Sequence, residues 1–172
     1  MASVGARRQL QYEEPLSDRH RFGFKRALDL IRVDFSFDHP RPRPIRTTVA
    51  FVVALVGSVV ADMILVAIGT AAYPATRGYA HFRFAAYGKL TVVGVVIACV
   101  AWPIVTSISS APRWLFFRLA ILVTLFLWLP DLWIWLKGQP TDAVLVLVVM
   151  HVAIALVTYN ALVRIARVEG AS

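Results

Sequence analysis

Four long runs of apolar residues fill most of the chain after residue 46 and predict four helices. They cover about Thr47–Thr70, Phe84–Ile108, Trp114–Leu136 and Ala143–Arg164. Each run is close to the ~20 residues that an α-helix needs to cross ~30 Å of hydrocarbon. A helix satisfies its own backbone hydrogen bonds in lipid, whereas an open sheet edge does not. The pattern therefore predicts an all-α integral membrane four-helix bundle.

The composition supports this class. The chain has 172 residues, of which 59% are hydrophobic, and its mean hydropathy is +0.68. Soluble globular proteins are roughly 45–50% apolar. The first 46 residues are polar and contain no short apolar core followed by a cleavage site, so we expect them to be retained. Cys99 is the single cysteine, which excludes an intramolecular disulfide.

The connections between the predicted helices are short. Residues 109–112 and 137–142 form compact turns that contain proline, so successive helices should be antiparallel neighbours. We expect Thr141 to cap the last helix. The longer connection, 71–83, carries aromatic residues placed as an interfacial belt, namely Tyr73, Tyr79, His81 and Phe82.

The positive charges indicate an orientation. Of the 18 lysines and arginines, ten precede the first predicted helix, two follow the turn at 109–112, and two close the fourth helix. Four remain on the opposite side. Fourteen against four predicts that both termini are cytoplasmic, under the positive-inside rule. Because these cations adjoin membrane segments, we expect anionic phospholipid headgroups as partners, and no nucleic acid.

Small residues recur at three- and four-residue spacing in the first two helices. This spacing lets helix backbones approach closely in membranes. We predict that these residues mark packing faces within the chain, with a dimer contact as the alternative. They are Ala54, Gly57, Ser58 and Ala61 in the first helix and Gly94 and Ala98 in the second.

Each predicted helix also contains at least one charged or ionisable residue that lipid should not tolerate. These residues form a predicted intramembrane polar cluster of Asp62, Lys89, Asp131 and His151. With the N-terminus inside, all four lie about 7–14 Å below the outer boundary. A charge at a helix centre costs ~2.5–3.5 kcal/mol on insertion scales, so such groups turn inward and pair.

We predict specific partners for these four residues. Asp62 should pair with Lys89, and His151 should donate to Asp62 or to a backbone carbonyl. Asp131 lies closer to the interface among tryptophans, where it should be hydrated. Three roles remain open for the cluster: a structural polar staple, a proton relay or cation site based on Asp62 and His151, and an outward-opening cavity for a lipid, quinone or other amphiphile.

The segment before the first helix predicts an amphipathic arm at about 22–37. Its apolar residues fall at helical spacing and its charges lie on the other face, which suits a membrane surface or a partner subunit. Residues 33–38 alternate as an extended strand does, and the prolines of 39–46 favour a stiff spacer without α-helix. The predicted docking residues are Phe22, Phe24, Lys25, Arg26, Leu28, Ile31, Arg32, Phe35 and Phe37.

Several chemistries lack the residues they need. Bis-histidine haem needs two facing imidazoles, but His151 is the one histidine within a predicted helix. The sequence has no zinc-type Cys/His spacing, no phosphate-binding glycine loop and no nucleophile placed beside a base. We therefore expect no enzyme activity, no cofactor and no metal.

The last third resembles uncharacterised four-helix membrane proteins of actinobacteria. The resemblance covers roughly Ala111–Arg164, from Ala-Pro-Arg-Trp at 111–114 through Pro130 to Met150-His151. It implies a four-helix fold and an inner-membrane location, and it carries no activity.

The sequence as a whole favours binding over turnover. The leading interpretation is a non-catalytic accessory or scaffold subunit of a larger bacterial inner-membrane complex, for example a respiratory one, with other integral membrane subunits as partners. The alternative is a small carrier or a lipid- or quinone-binding membrane protein that uses an outer-half polar cavity.

Overall fold

The computed structural model describes residues 42–168, and every long element in that range is a helix. Helix α1 spans Pro44–Ala72, α2 spans Phe84–Ile108, α3 spans Pro112–Leu136 and α4 spans Thr141–Ile165. All four are long and apolar enough to cross a membrane. The predicted all-α, multi-pass four-helix bundle is confirmed. The predicted amphipathic arm lies outside the described residues.

Proline begins two of the four helices. Arg43 is extended, and Pro44 is the first helical residue of α1. The prediction that prolines exclude helix as far as Arg46 was therefore wrong. The first helical position tolerates proline because the missing N–H has no intrahelical acceptor there. Pro112 begins α3 in the same way.

The helices pack side by side in the order α2, α1, α4, α3, and α2 also contacts α3 at one end of the bundle. Helices α1 and α4 make the most extensive contact, α2 packs on α1, and α3 packs on α4. We call the end that holds Pro44 and Ile165 the terminal end, and the opposite end the distal end. At the terminal end α2 meets α3 through Trp102 and Phe116, whose ring centroids are 5.0 Å apart.

Small residues allow the close contact between α1 and α4. Ala54 and Ser58 are fully buried. A Cβ added to Gly57 would lie 2.9 Å from Val157, and one added to Gly69 would lie 2.7 Å from Val146. Gly69 was not predicted as a packing residue.

The prediction that Gly94 packs within the chain was wrong, whereas the alternative, a dimer contact, stays a prediction. A Cβ added there would meet nothing within 4 Å. Ala61 and Ala98 are half-buried, and Ala98 packs against the apolar core of the terminal end. Small size permits close approach, but the rotation of the helix decides whether a neighbour is present.

The distal connection between α1 and α2 contains two short 3-10 turns, Pro74–Thr76 and Ala80–Phe82. Tyr73 and His81 are exposed, as an interfacial belt requires, whereas Phe82 is buried and packs against α4 residues. Thr141 does not cap α4, because Pro140 takes the cap position. The Thr141 hydroxyl instead accepts a hydrogen bond of 3.1 Å from the Trp135 indole.

Leucine at Gly57 should destabilise the bundle, whereas leucine at Gly94 should not. At Gly57 the new side chain enters the contact with Val157, and such overpacking costs about 1–3 kcal/mol. Thermal unfolding of both purified variants in detergent, followed by tryptophan fluorescence, measures the difference. Equal midpoints for Gly57→Leu and Gly94→Leu would contradict the helix rotation described here.

Candidate functional site

Three of the four predicted intramembrane polar residues come together, and the fourth does not. Asp62 is fully buried, Asp131 is 6% exposed, and His151 is half-buried. Lys89 is exposed on the outside of α2, five residues from its start. There its long side chain can reach the interface. We call Asp62, Thr91, Asp131 and His151 the buried polar cluster.

Asp62 is paired with Thr91 and not with Lys89. The Thr91 hydroxyl lies 2.5 Å from Asp62 Oδ2. The predicted ion pair between Asp62 and Lys89 was therefore wrong, because the face of α2 that contacts α1 carries Thr91. The other carboxyl oxygen of Asp62, Oδ1, is buried without a hydrogen-bond partner.

Asp131 is paired with His151. Asp131 Oδ2 lies 3.1 Å from His151 Nδ1. The same nitrogen lies 2.9 Å from the Leu147 carbonyl oxygen, one turn earlier in α4. Its single N–H aligns with that carbonyl, so Asp131 Oδ2 has no aligned hydrogen bond. The expected hydration of Asp131 among tryptophans was wrong, and the expected bond from His151 to a backbone carbonyl is present.

Three further polar residues extend this arrangement along the bundle. Towards the terminal end, Ser58 and Thr158 join α1 to α4 through hydroxyls 3.3 Å apart. Towards the distal end, the Tyr79 hydroxyl is buried, has no hydrogen-bond partner and interacts electrostatically with Asp131. Burial, and to a smaller extent the Asp131 carboxylate, raises the pKa of the Tyr79 phenol.

The cluster has fewer hydrogens than acceptors. Thr91 has one hydroxyl hydrogen, but its oxygen lies 2.5 Å from Asp62 Oδ2 and 3.0 Å from the Tyr87 carbonyl oxygen. His151 Nδ1 likewise has one hydrogen for the Leu147 carbonyl and the Asp131 carboxylate. Buried acceptors without a donor are costly, so this deficit is the most unusual chemical feature of the bundle.

Sequence reasoning missed Thr91 and assigned Tyr79 to the interfacial belt alone. Threonine is common in membrane helices, where it bonds back to its own helix, so its presence gives no signal by itself. For the polar contact between α1 and α4, the available signal was spacing, because Ser58 lies one turn before Asp62 and so shares its helix face.

Neither of two grooves described within residues 42–168 is the expected outer-half polar cavity. One open groove of about 540 Å³ lies between the start of α1 and the middle of α2, and is lined in part by Pro44, Phe51 and Cys99. Another, of about 210 Å³, lies between α3 and α4 and includes Trp128. Neither is lined by Asp62, Asp131 or His151.

Metal binding has no support within residues 42–168, where no group of three or more His, Cys, Asp or Glu side chains is placed to hold an ion. The chain matches no protein-family model, no curated protein and no solved structure. The resemblance to actinobacterial membrane proteins therefore stays a prediction, and the functional argument depends on the geometry.

Replacing Thr91 with valine should destabilise the protein by about 1–3 kcal/mol. Valine keeps the shape but removes the hydroxyl from the buried Asp62 carboxyl. Thr124→Val is the matched control, because the Thr124 hydroxyl contacts the Ala120 carbonyl of its own helix. Detergent-induced unfolding compares the two. A loss in Thr91→Val no greater than that in Thr124→Val would contradict the pairing.

The Tyr79 phenol should deprotonate above the ordinary tyrosine range, because burial and the Asp131 carboxylate both disfavour phenolate. Asp131→Asn should lower the midpoint but not restore the ordinary value, since burial is the larger cause. Ultraviolet titration of each protein, corrected with the corresponding Tyr79→Phe background, isolates this transition. A midpoint unaffected by Asp131→Asn would show that the two groups are not neighbours.

Proposed function

We propose that this multi-pass membrane protein is a non-catalytic accessory subunit of a larger bacterial inner-membrane complex. Its role is to bind other integral membrane subunits. In this proposal both termini are cytoplasmic, and the positive charges near them contact anionic phospholipid headgroups. A respiratory complex is one class of assembly that would use such a subunit.

The observation that carries the proposal is the outer face of α3. Helix α3 has the smallest buried fraction of the four membrane spans. Large apolar side chains form a stripe along its outer face, each more than half exposed. They are Leu122 at 62%, Phe126 at 69%, Leu129 at 55% and Trp133 at 62%.

The spacing of this stripe suits a partner helix. The residues follow one another at intervals of four, three and four, which is the seam spacing of left-handed helix pairs. Helix association in membranes depends on van der Waals packing, and large aromatic side chains provide much of the contact area. We therefore assign the outer face of α3, which packs on α4 alone along most of its length, to a transmembrane helix of another subunit.

The interior supports a binding role over turnover. The described ionisable groups inside the bundle contact protein partners, Asp131 with His151 and Asp62 with Thr91, and neither described groove brings them to a substrate-sized space. The predicted arm, which includes Phe24, Ile31 and Phe35, gives a second docking element on the cytoplasmic side.

Site-specific photo-cross-linking in native membranes tests this proposal. A benzophenone amino acid at Phe126 should cross-link to a defined protein, whereas one at Ile97 should not. Ile97 is a matched control because it is an apolar α2 residue with 61% exposure. The cross-linked partner should also co-purify in mild detergent, and deletion of Met1–Asp38 should weaken its recovery.

Two results together would contradict the subunit role. The first is identical cross-linking at Phe126 and Ile97, without a defined protein product. The second is a monomer by native mass spectrometry that is unaffected by the deletion.

A further inference from the structure

Charge balance sets Asp62 apart from an ordinary buried carboxylate. Within residues 42–168 the buried polar side chains include two carboxylates, Asp62 and Asp131, but no lysine or arginine. His151 interacts electrostatically with both and is the ionisable nitrogen of the cluster. The tyrosines that face the carboxylates, Tyr87 from α2 and Tyr79 from the distal connection, are uncharged while protonated.

Electroneutrality requires a protonated carboxyl. Two carboxylates and one neutral imidazole reach zero net charge when they bind two additional protons. Every distribution of two protons over these three groups leaves at least one carboxyl protonated. A net charge within a membrane bundle is strongly disfavoured, so the neutral states are the populated ones.

The hydrogen-bond geometry indicates which carboxyl holds the proton. If Thr91 donates its one hydrogen to the Tyr87 carbonyl, at 3.0 Å, the 2.5 Å contact with Asp62 lacks a hydrogen unless Asp62 supplies it. A protonated Asp62 donates to the Thr91 hydroxyl and satisfies both contacts. Asp131, by contrast, lies 3.1 Å from an imidazole that can become cationic.

We propose that Asp62 is a proton-binding site, which keeps its proton at neutral pH and exchanges it with the distal side by way of His151, Asp131 and Tyr79. This inference is independent of the subunit role. In each transfer a proton leaves one oxygen or nitrogen as the next group accepts it, so no other reactant is consumed.

The ionisable groups of the route continue towards one end of the bundle. On the distal side Asp131 lies about 7.5 Å from the end of α3, and Tyr79 lies in the connection beyond. On the terminal side, the contacts between polar side chains of different helices within residues 42–168 end at Ser58 and Thr158, and the buried Thr106 and Ser107 hydroxyls beyond them bond back to their own helix. Beyond them the interior is filled by apolar clusters that include Ala54, Val95, Ala161, Trp102 and Leu162. The site is therefore a blind proton site and not a transmembrane channel.

Infrared spectroscopy tests the proton on Asp62. The protein is purified in a maltoside detergent, which has no ester carbonyl, and its aspartates are labelled with ¹³C at the side-chain carboxyl. At neutral pH the wild type should show an isotope-shifted protonated-carboxyl band. Asp62→Asn should remove this band, while Asp131→Asn and the control Asp142→Asn, at the start of α4, should keep it.

A wild-type spectrum without the band, or a band retained in Asp62→Asn, would overturn the assignment. Thr91→Val provides a second test if Asp62→Asn does not fold, because loss of the hydroxyl partner should shift the band frequency. An unshifted band in Thr91→Val would count against Asp62 as its source.

Hydrogen–deuterium exchange of the same band tests the route. Tyr79→Phe should slow the exchange severalfold without removing the band, whereas Ser58→Ala, on the closed side, should leave the rate unchanged. Equal exchange rates in Tyr79→Phe and the wild type would overturn the distal route. Proteoliposomes should also leak protons no faster than Asp62→Asn liposomes, and a faster leak would overturn the blind arrangement.

Discussion

Within residues 42–168, two carboxylates are buried without a lysine or an arginine, and the polar contacts that this burial requires shape the whole bundle. In lipid, apolar packing gives little directional preference between helices, so polar contacts are well suited to define their register. Each such contact joins a different helix pair: Asp62 with Thr91 joins α1 to α2, Ser58 with Thr158 joins α1 to α4, and Asp131 with His151 joins α4 to α3. The order of these links, α2–α1–α4–α3, is the order in which the helices pack.

The two ends of the bundle consequently differ. The terminal end is closed by large apolar side chains, and the Trp102 indole there donates to the carbonyl of Ala166 at 3.0 Å. The distal half holds the ionisable groups, and small residues in both halves, such as Gly57 and Gly69, let α1 approach α4. The proposed docking face and the proposed proton site can coexist in so small a protein because the first is the outer face of α3 and the second lies between the helices.

The sequence was sufficient to predict the four helices because the hydrophobic length and the turn residues are local signals. Depth could also be predicted, since counting along a helix places Asp62, Asp131 and His151 in the same half. Facing could not. Lys89 and Thr91 are two residues apart, which is about 200° around a helix, so one of them faces α1 only if the other faces away. Gly69 and Gly94 differ for the same reason, because hydropathy does not determine helix rotation in uniformly apolar segments.

A double-mutant cycle between Asp131 and His151 measures directly whether the polar groups pair across helices. With Asp131→Asn and His151→Gln, unfolding in mixed detergent should give a coupling free energy of about 0.5–2 kcal/mol. The equivalent cycle for Asp62→Asn and Lys89→Gln should give a value near zero. Strong coupling between Asp62 and Lys89, with none between Asp131 and His151, would contradict this pairing of the polar groups.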